Sequence, residues 1–404
     1  MKRLFLPAFG LLMLGACAQD EMMEVNRNGD EITFSVVTNN ATRAADVFCN
    51  NNMPDAFYVS AKTAPESGSS KIYFNEDKVV TPDGGTTWTD EGGVRYWPEE
   101  KLDFYAHVNG DDTYSFSTTG ATFTDFTVNG NVANQVDLLY AVKTDQTKTS
   151  TPVTLNFRHA LSQIVFKAKN KNAKLYVEIA GVKVANVKNK GDFTFPTTST
   201  DGNIEHPESG TSASSTSIGT QGNWTLEDGV ATYEANFTNV KLVGNGEVQN
   251  LTDFTGEHKD NSTFGKVMLL MPQMTTAWEP STTYPSPTTA GQTGSYLLVD
   301  CVIYNVSGES FNATNDLCLW GKAQEGGTYT TKELAIPASF IWDQGKKYIY
   351  TLVFGDGNGG YDPDPEPGPD PDPVLVPITY EVSVDEFVNG GEIDIESGVP
   401  TTQD

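Results

Sequence analysis

Basic residues are scarce in this chain. Lys and Arg together number 26 in 404 residues, against 53 Asp and Glu, for a formal net charge of −27. Nucleic acid must be met by a basic face, so the shortage argues against that class of partner. It argues equally against electrostatic docking on anionic lipid. Histidine and cysteine are also few, at four each. His107, His159, His206 and His258 share no short spacing, and no HExxH, CxxC, GxSxG or Walker loop occurs. Metal-centred and nucleophilic catalysis therefore lack their usual residue sets; no catalytic residue, cofactor or metal is expected, and the chain reads as a non-enzyme. No 3.6-residue apolar periodicity is sustained, and beyond the N-terminus no apolar run reaches 18 residues. What is abundant is 21 Phe, 16 Tyr, 37 Gly and 21 Pro, with many Thr and Val. Aromatic and β-branched residues punctuated by turn formers point to an all-β protein.

Residues 1–17 read as an address rather than a fold. Lys2 and Arg3 precede an apolar stretch, Leu4 to Met13, that is too short to span a bilayer. It ends in Leu14-Gly15-Ala16-Cys17, which resembles the lipobox of bacterial lipoproteins. The resemblance implies cleavage before Cys17 and lipid on its sulfur, with two or three acyl chains giving stable anchoring. The plainer alternative is an ordinary signal peptide with a chance cysteine. The polar run Ala18-Gln19-Asp20-Glu21 resembles a surface-export signal of Bacteroidetes lipoproteins. A cell outer membrane precursor exposed at the surface is expected.

Short alternating segments follow. In Glu31–Val37, Ile32, Phe34 and Val36 share one face and Glu31, Thr33 and Ser35 the other, a half-buried strand. Further strands are expected at Phe57–Lys62, Lys71–Phe74, Thr86–Trp88, Val94–Trp97 and Leu102–His107, and a short helical or irregular piece at Asn134–Tyr140. In Thr151–Lys169 the apolar parity changes between Val153, Leu155, Phe157 and Ile164, Phe166, Ala168, so a bulge or bend is expected near Ala160–Ser162. Later strands are expected at Leu175–Ile179, Val182–Val187, Thr232–Phe237, Lys266–Met271, Tyr296–Tyr304 and Lys347–Phe354. Thr197–Gly222 and Ser281–Gly294 read as surface loops. Folding Ser295–Tyr304 against Asp316–Trp320 would bring Cys301 near Cys318, as a disulfide or as two small apolar residues. The pattern gives two antiparallel β-sandwiches, at 18–149 and 150–355.

The tail carries the strongest pattern. Asp362–Pro373, DPDPEPGPDPDP, alternates proline with acid and favours an extended, self-repelling rod. Its twelve residues at about 3.1 Å each reach roughly 37 Å. Beyond this linker (356–373), the segment 374–404 opens with Val376, Ile378, Tyr380, Val382 and Val384 alternating with polar residues or proline. A turn at Asn389-Gly390-Gly391 could return Glu392–Ile395 as a second strand. Docking five such side chains is worth about 7–15 kcal/mol gross, at about 1.5–3 each. The strand must therefore dock, either on its own sandwich or by completing a neighbour's sheet; the rod favours the neighbour.

Several motifs in order, Thr42-Arg43-Ala44, Tyr96-Trp97-Pro98, Leu102-Asp103-Phe104-Tyr105-Ala106, Phe157-Arg158-His159-Ala160-Leu161-Ser162, Leu269-Leu270-Met271-Pro272-Gln273 and Trp342-Asp343-Gln344-Gly345-Lys346-Lys347-Tyr348, resemble those of the fimbrillin family of Bacteroidetes, the type V pilins. The resemblance, lipobox included, covers nearly the whole chain. It implies two transthyretin-like sandwiches, a precursor lipoprotein, and cleavage after the first strand by an arginine-specific protease. The groove so opened is filled by the C-terminal strands of another pilin subunit. Shaft subunits of this kind serve cell adhesion through surface ligands the sequence does not name.

The arginines fit that scheme. They are Arg3, Arg27, Arg43, Arg95 and Arg158. Arg3 leaves with the signal peptide, Arg27 precedes the first strand, and Arg95 and Arg158 are expected in strands. Only Arg43 sits in a polar loop just behind a strand, so cleavage between Arg43 and Ala44 would remove Ile32, Phe34 and Val36; a plain solvated arginine is the alternative. His159 reads as a structural histidine, and Trp97 and Trp342 as core. Prolines at every second position deny the acidic tail a closed calcium cage. A surface glycan-binding lipoprotein of a polysaccharide-uptake system would share the lipobox, acidity and sandwiches, but needs neither the rod-borne strand nor Arg43.

Overall fold

A computed structural model describes residues 30–38, 56–81, 87–201, 221–235, 237–252, 267–279, 294–356, 360–363 and 378–386. The first half contributes β1 (Phe34–Thr38), β2 (Ala56–Thr63), β3 (Ile72–Val80), β4 (Thr89–Asp90), β5 (Leu102–Val108), β6 (Tyr114–Ser117), β7 (Gly120–Thr127), β8 (Leu139–Gln146) and β9 (Val153–His159). The second contributes β10 (Ser162–Asn170), β11 (Leu175–Val187), β12 (Lys190–Thr194), β13 (Asn223–Leu226), β14 (Ala231–Ala235), β15 (Val240–Leu242), β16 (Gln249–Asn250), β17 (Met268–Leu270), β18 (Tyr296–Asn305), β19 (Leu317–Trp320), β20 (Lys322–Ala323), β21 (Tyr329–Thr330), β22 (Lys332–Pro337), β23 (Lys346–Phe354) and β24 (Ile378–Glu386). Short 3-10 turns are the only helical pieces among the described residues. The chain is all-β, with its sheets packed in sandwich fashion.

The first sheet runs β1-β9-β8-β5-β2-β3-β4. Its central strands are apolar on both faces because both faces are covered. Phe104 and Ala106 of β5 and Leu139 and Ala141 of β8 point into one core with Phe57, Trp97 and Phe157. Tyr105, Tyr140 and Val142 point the other way, into the larger core of the second half. That face is roofed by a sheet ordered β13-β12-β7-β6, built from both halves of the chain. In the hairpin β6–β7, Tyr114 and Phe116 and then Ala121 and Phe123 alternate with Ser and Thr, the two-residue period of a half-buried strand pair.

The remaining core lies between a sheet ordered β16-β10-β23-β24, with β17 also on β10, and one ordered β14-β11-β18-β19, with β15 and β22 on the same central strands. Most ladders are antiparallel, but β1 runs parallel to β9 and β10 parallel to β23. The bend expected near Ala160–Ser162 is the step from β9 in one sheet to β10 in another. Before that step β9 returns to pair with β8. The two strands expected at Leu175–Ile179 and Val182–Val187 are one, kinked by a register shift between Ile179 and Gly181.

Three expectations need correction. Thr197–Gly222 is not all surface loop: Thr200 is buried, its hydroxyl donating to the Asn156 carbonyl at 2.8 Å, and residues 202–220 lie outside the described residues. Val94–Trp97 forms no regular strand; within it only Tyr96 bridges, to Glu31. The hairpin of β18 and β19 sets Cys318 opposite Tyr304. Cys301 faces the main core and Cys318 the outer cluster around Tyr304, so the two thiols lie on opposite sides of the sheet and are free. Cys49 lies outside the described residues.

Candidate functional site

The first strand occupies a slot between two banks. On one side β1 pairs in parallel with β9, in a register from Phe34 opposite Val153 to Thr38 opposite Phe157. Ser35 and Thr154 join their hydroxyls at 3.0 Å on the solvent face. On the other side residues 30–34 pair with the stretch that flanks β4. The Ile32 N–H donates to the Arg95 carbonyl at 2.8 Å, and Phe34 and Trp88 exchange both backbone bonds at 2.9 and 2.8 Å. The Trp97 N–H donates to the Asp30 carbonyl at 3.1 Å, and the Val153 N–H to the Thr33 carbonyl at 2.8 Å. Residues 30–38 thereby join the two ends of the seven-stranded sheet, and the sheet closes on itself through them.

The alternation expected of this segment is present. Ile32 and Phe34 are each 2% exposed and Val36 is half-buried against the same core. The Phe34 ring meets Phe104 edge-on at 5.5 Å and Phe57 at 6.1 Å. Burial of the two fully enclosed side chains contributes about 3–6 kcal/mol gross. Lifting the segment out would leave an apolar floor of Phe57, Phe104 and Trp97, and unpaired backbone groups on both banks. Trp88 and Arg95 complete the site although no sequence pattern marks either of them for it. Arg95 is not in a strand. Its Nε donates to Asp77 at 2.6 Å and to Asp90 at 3.1 Å, and its guanidinium lies over the Phe74 ring at 5.5 Å. Both carboxylates hold its pKa above the usual arginine value.

The tail strand takes the first of its two expected places. Over its full length β24 pairs antiparallel with β23, from Lys346 opposite Glu386 to Phe354 opposite Ile378. Its apolar parity faces the core, but cover fades along the strand. Ile378 is 2% exposed, Tyr380 and Val382 are half-buried, and Val384 is 38% exposed. Tyr380 packs on Tyr350 at 5.9 Å, and burial pushes its phenol pKa up. On the polar face Lys169 reaches over β23 to Glu381 at 2.6 Å, with Lys171 at 3.5 Å. The Lys169 hydrogen bond, with both ammonium charges, holds the Glu381 carboxyl below its usual range. Among the described residues no strand pairs with the outer edge of β24. Cys17, Arg43, Ala44 and Val376 lie outside the described residues, as does most of the Pro/Asp linker.

The remaining singled-out groups are structural. His159 and Asp137 form a buried pair, Nδ1 lying 2.9 and 3.0 Å from the two carboxylate oxygens. Trp97 and Trp342 are fully buried. Arg158 is buried in β9 and donates to the Thr200 carbonyl at 2.7 Å. Asp125, Asp192 and Glu227 converge, but Lys190 bonds Asp125 and lies 3.1 Å from Glu227, so the acids are already paired with a cation.

A slot-closing first strand and an edge-docked last strand enclose the body of the fold, and the family comparison falls on that body. The model of the fimbrillin-like family matches residues 42–364, most of the chain. The chain belongs to the fimbrillin-like family. Membership makes this a fimbrial protein of the cell surface. Among solved structures it is similar to a candidate cell adhesion protein of Bacteroides ovatus, at 13% identity over 90% of this chain and 99% of that one, with a TM-score of 0.45. A corresponding protein of Bacteroides uniformis matches at 13% identity over 89% and 98%, with a TM-score of 0.39. The fimbrial anchor protein Mfa2 of Porphyromonas gingivalis matches at 9% identity over 88% and 97%, with a TM-score of 0.33. A comparison with curated proteins found no match. No helix among the described residues is long and apolar enough to cross a membrane.

Proposed function

We propose that this fimbrillin-like chain is a shaft-type subunit of an adhesive surface fimbria. It reaches the surface as a lipoprotein carried on Cys17, and an arginine-specific protease cuts between Arg43 and Ala44. The slot vacated by residues 30–38 then receives the tail strand of another subunit. The observation that carries this reading is the way residues 30–34 close the first sheet. Residues 30–34 pair with the Trp88–Trp97 bank and residues 33–38 with β9, above an apolar floor, and Arg43 lies in the sequence just behind them.

Exchange also has a favourable direction. At home, among the described residues, β24 has one ladder, on β23. In a partner's slot it would have two ladders, each hydrogen bond contributing about 0.5–1.5 kcal/mol net. It would offer five alternating apolar side chains where the leaving strand offers Ile32, Phe34 and Val36. Against this stands the loss of its own docking, chiefly the burial of Ile378. The added strand in a vacated edge is the β-augmentation mode of recognition.

N-terminal sequencing of surface material tests the reading. Ala44 is expected as the first residue of assembled protein, and Arg43→Ala should abolish that species while leaving the monomer folded. Normal polymer from Arg43→Ala, or assembled protein that begins at a lipidated Cys17, would overturn the shaft assignment.

A further inference from the structure

The vacated slot has a consequence for a second arginine, and the argument rests on the reading just given. Glu91-Gly92-Gly93-Val94-Arg95 is exposed throughout, Gly93 adopts φ +138°, and the Arg95 side chain is 46% exposed. Locally this is a substrate for an arginine-specific protease. Cleavage, however, requires the chain on both sides of the cut bond to peel away, so it follows local opening rather than side-chain exposure alone. The residues that must peel away are held by the first strand, and Tyr96 in addition by the Tyr73 hydroxyl, which donates to its carbonyl at 2.6 Å. The Arg95 carbonyl accepts from Ile32, Tyr96 bridges Glu31, and the Trp97 N–H donates to Asp30, with the Trp97 indole buried. Asp77 and Asp90 meanwhile hold the guanidinium that a protease pocket would have to capture.

We propose that Arg95–Tyr96 is a latent second cleavage site for an arginine-specific protease, masked by residues 30–32. Departure of the first strand opens it, and a donor strand from a second copy closes it again. In the reaction water adds across the amide, leaving a carboxylate on Arg95 and an ammonium on Tyr96. The cut would sever one bank of the slot. A subunit left empty after maturation would thus lose its ability to accept a donor, and filled subunits would be spared.

The test is a digestion of the full chain with an arginine-specific protease, followed by N-terminal sequencing over time. Wild type should yield Ala44 first and Tyr96 only afterwards, and Arg95→Lys should abolish the Tyr96 product alone. In Arg43→Ala, which retains its first strand, the Tyr96 product should slow by on the order of tenfold or more. Adding Phe34→Asp to that variant, which expels the strand without cutting it, should restore the product. Equal rates of Tyr96 formation in wild type and Arg43→Ala, or wild type cut to Ala44 and stable thereafter, would overturn the proposal. If Phe34→Asp prevents folding, the wild-type order of products still decides. Tyr96 appearing only with Phe34→Asp, and no Ala44 in wild type, would uphold the masked site while removing Arg43 from the maturation reading.

Discussion

The first and last strands of the described chain, β1 and β24, are terminal in their sheets, alternate apolar with polar residues, and adjoin polar segments. They are held in opposite ways. The segment leading through β1 has backbone partners on both sides and buries Ile32 and Phe34 completely. Strand β24 has a longer ladder, nine residues, on one side only among the described residues, and its cover falls from a buried Ile378 to an exposed Val384. The contrast separates two contributions that a sequence pattern merges. Alternation says a strand has an apolar face; it does not say whether one edge or two will be paired. A two-sided slot makes a strand costly to remove and its vacancy strongly attractive, whereas a one-sided edge makes a strand easy to lend.

The largest effect is expected at Phe34. Phe34→Ala should cost about 3–5 kcal/mol, because a ring enclosed by Phe57 and Phe104 leaves a cavity that a closed sheet cannot collapse. Thermal melting and near-ultraviolet dichroism would read the loss, and a change under 1 kcal/mol would contradict the closed-slot picture.

Next comes the tail. Ile378→Ala should cost about 2 kcal/mol, at the low end for a buried aliphatic residue, since an edge strand can readjust. Removing 374–404 should leave a folded, soluble body that accepts but does not provide a strand, and so caps filaments in electron micrographs. Charge placed by Ile378→Asp or Val382→Asp should block assembly, while Ser383→Asp, on the exposed face, should be tolerated. Equal effects from both parities would remove strand exchange from consideration.

A smaller effect follows from Glu381. Its folded pKa lies below the ordinary value, chiefly through Lys169, so its contribution is present above the unfolded pKa and lost as pH falls through the folded one. Both partners are in contact with solvent, which limits the contribution to under about 1 kcal/mol. Hydrogen-exchange protection of β24 should drop between neutral pH and the range below about 4, and Lys169→Ala should flatten that dependence. Smallest of all, Val384→Ala should change monomer stability by about 0.5 kcal/mol or less, yet weaken polymer if that side chain is enclosed in a partner.

Much of this was legible in the residues. The parity of Ile32, Phe34 and Val36, the tail alternation from Ile378 to Val384, and the phase change at Ala160–Ser162 follow from the two-residue period of a strand, a local property. The hairpin β6–β7 was legible too, with Tyr114 and Phe116 and then Ala121 and Phe123 alternating with Ser and Thr; the strand β22 was not, because its side chains alternate weakly and its place is set by a distant partner, β18. Register was out of reach for the same reason. Cys318 faces Tyr304, three residues along β18 from Cys301, because the register of the β18–β19 hairpin is set by its turn and its neighbours and not by the cysteines.

The sequence by itself determined that this is an all-β chain with an apolar-faced strand near each end, since strand alternation and turn chemistry act over a few residues. Tertiary structure alone decided that the first strand runs parallel to β9 and seals a sheet against Trp88 and Arg95. It alone decided, too, that the last strand rests on β23. Those outcomes depend on which backbone edges remain unpaired once the rest of the chain has folded, and edge pairing carries no signature in side-chain order.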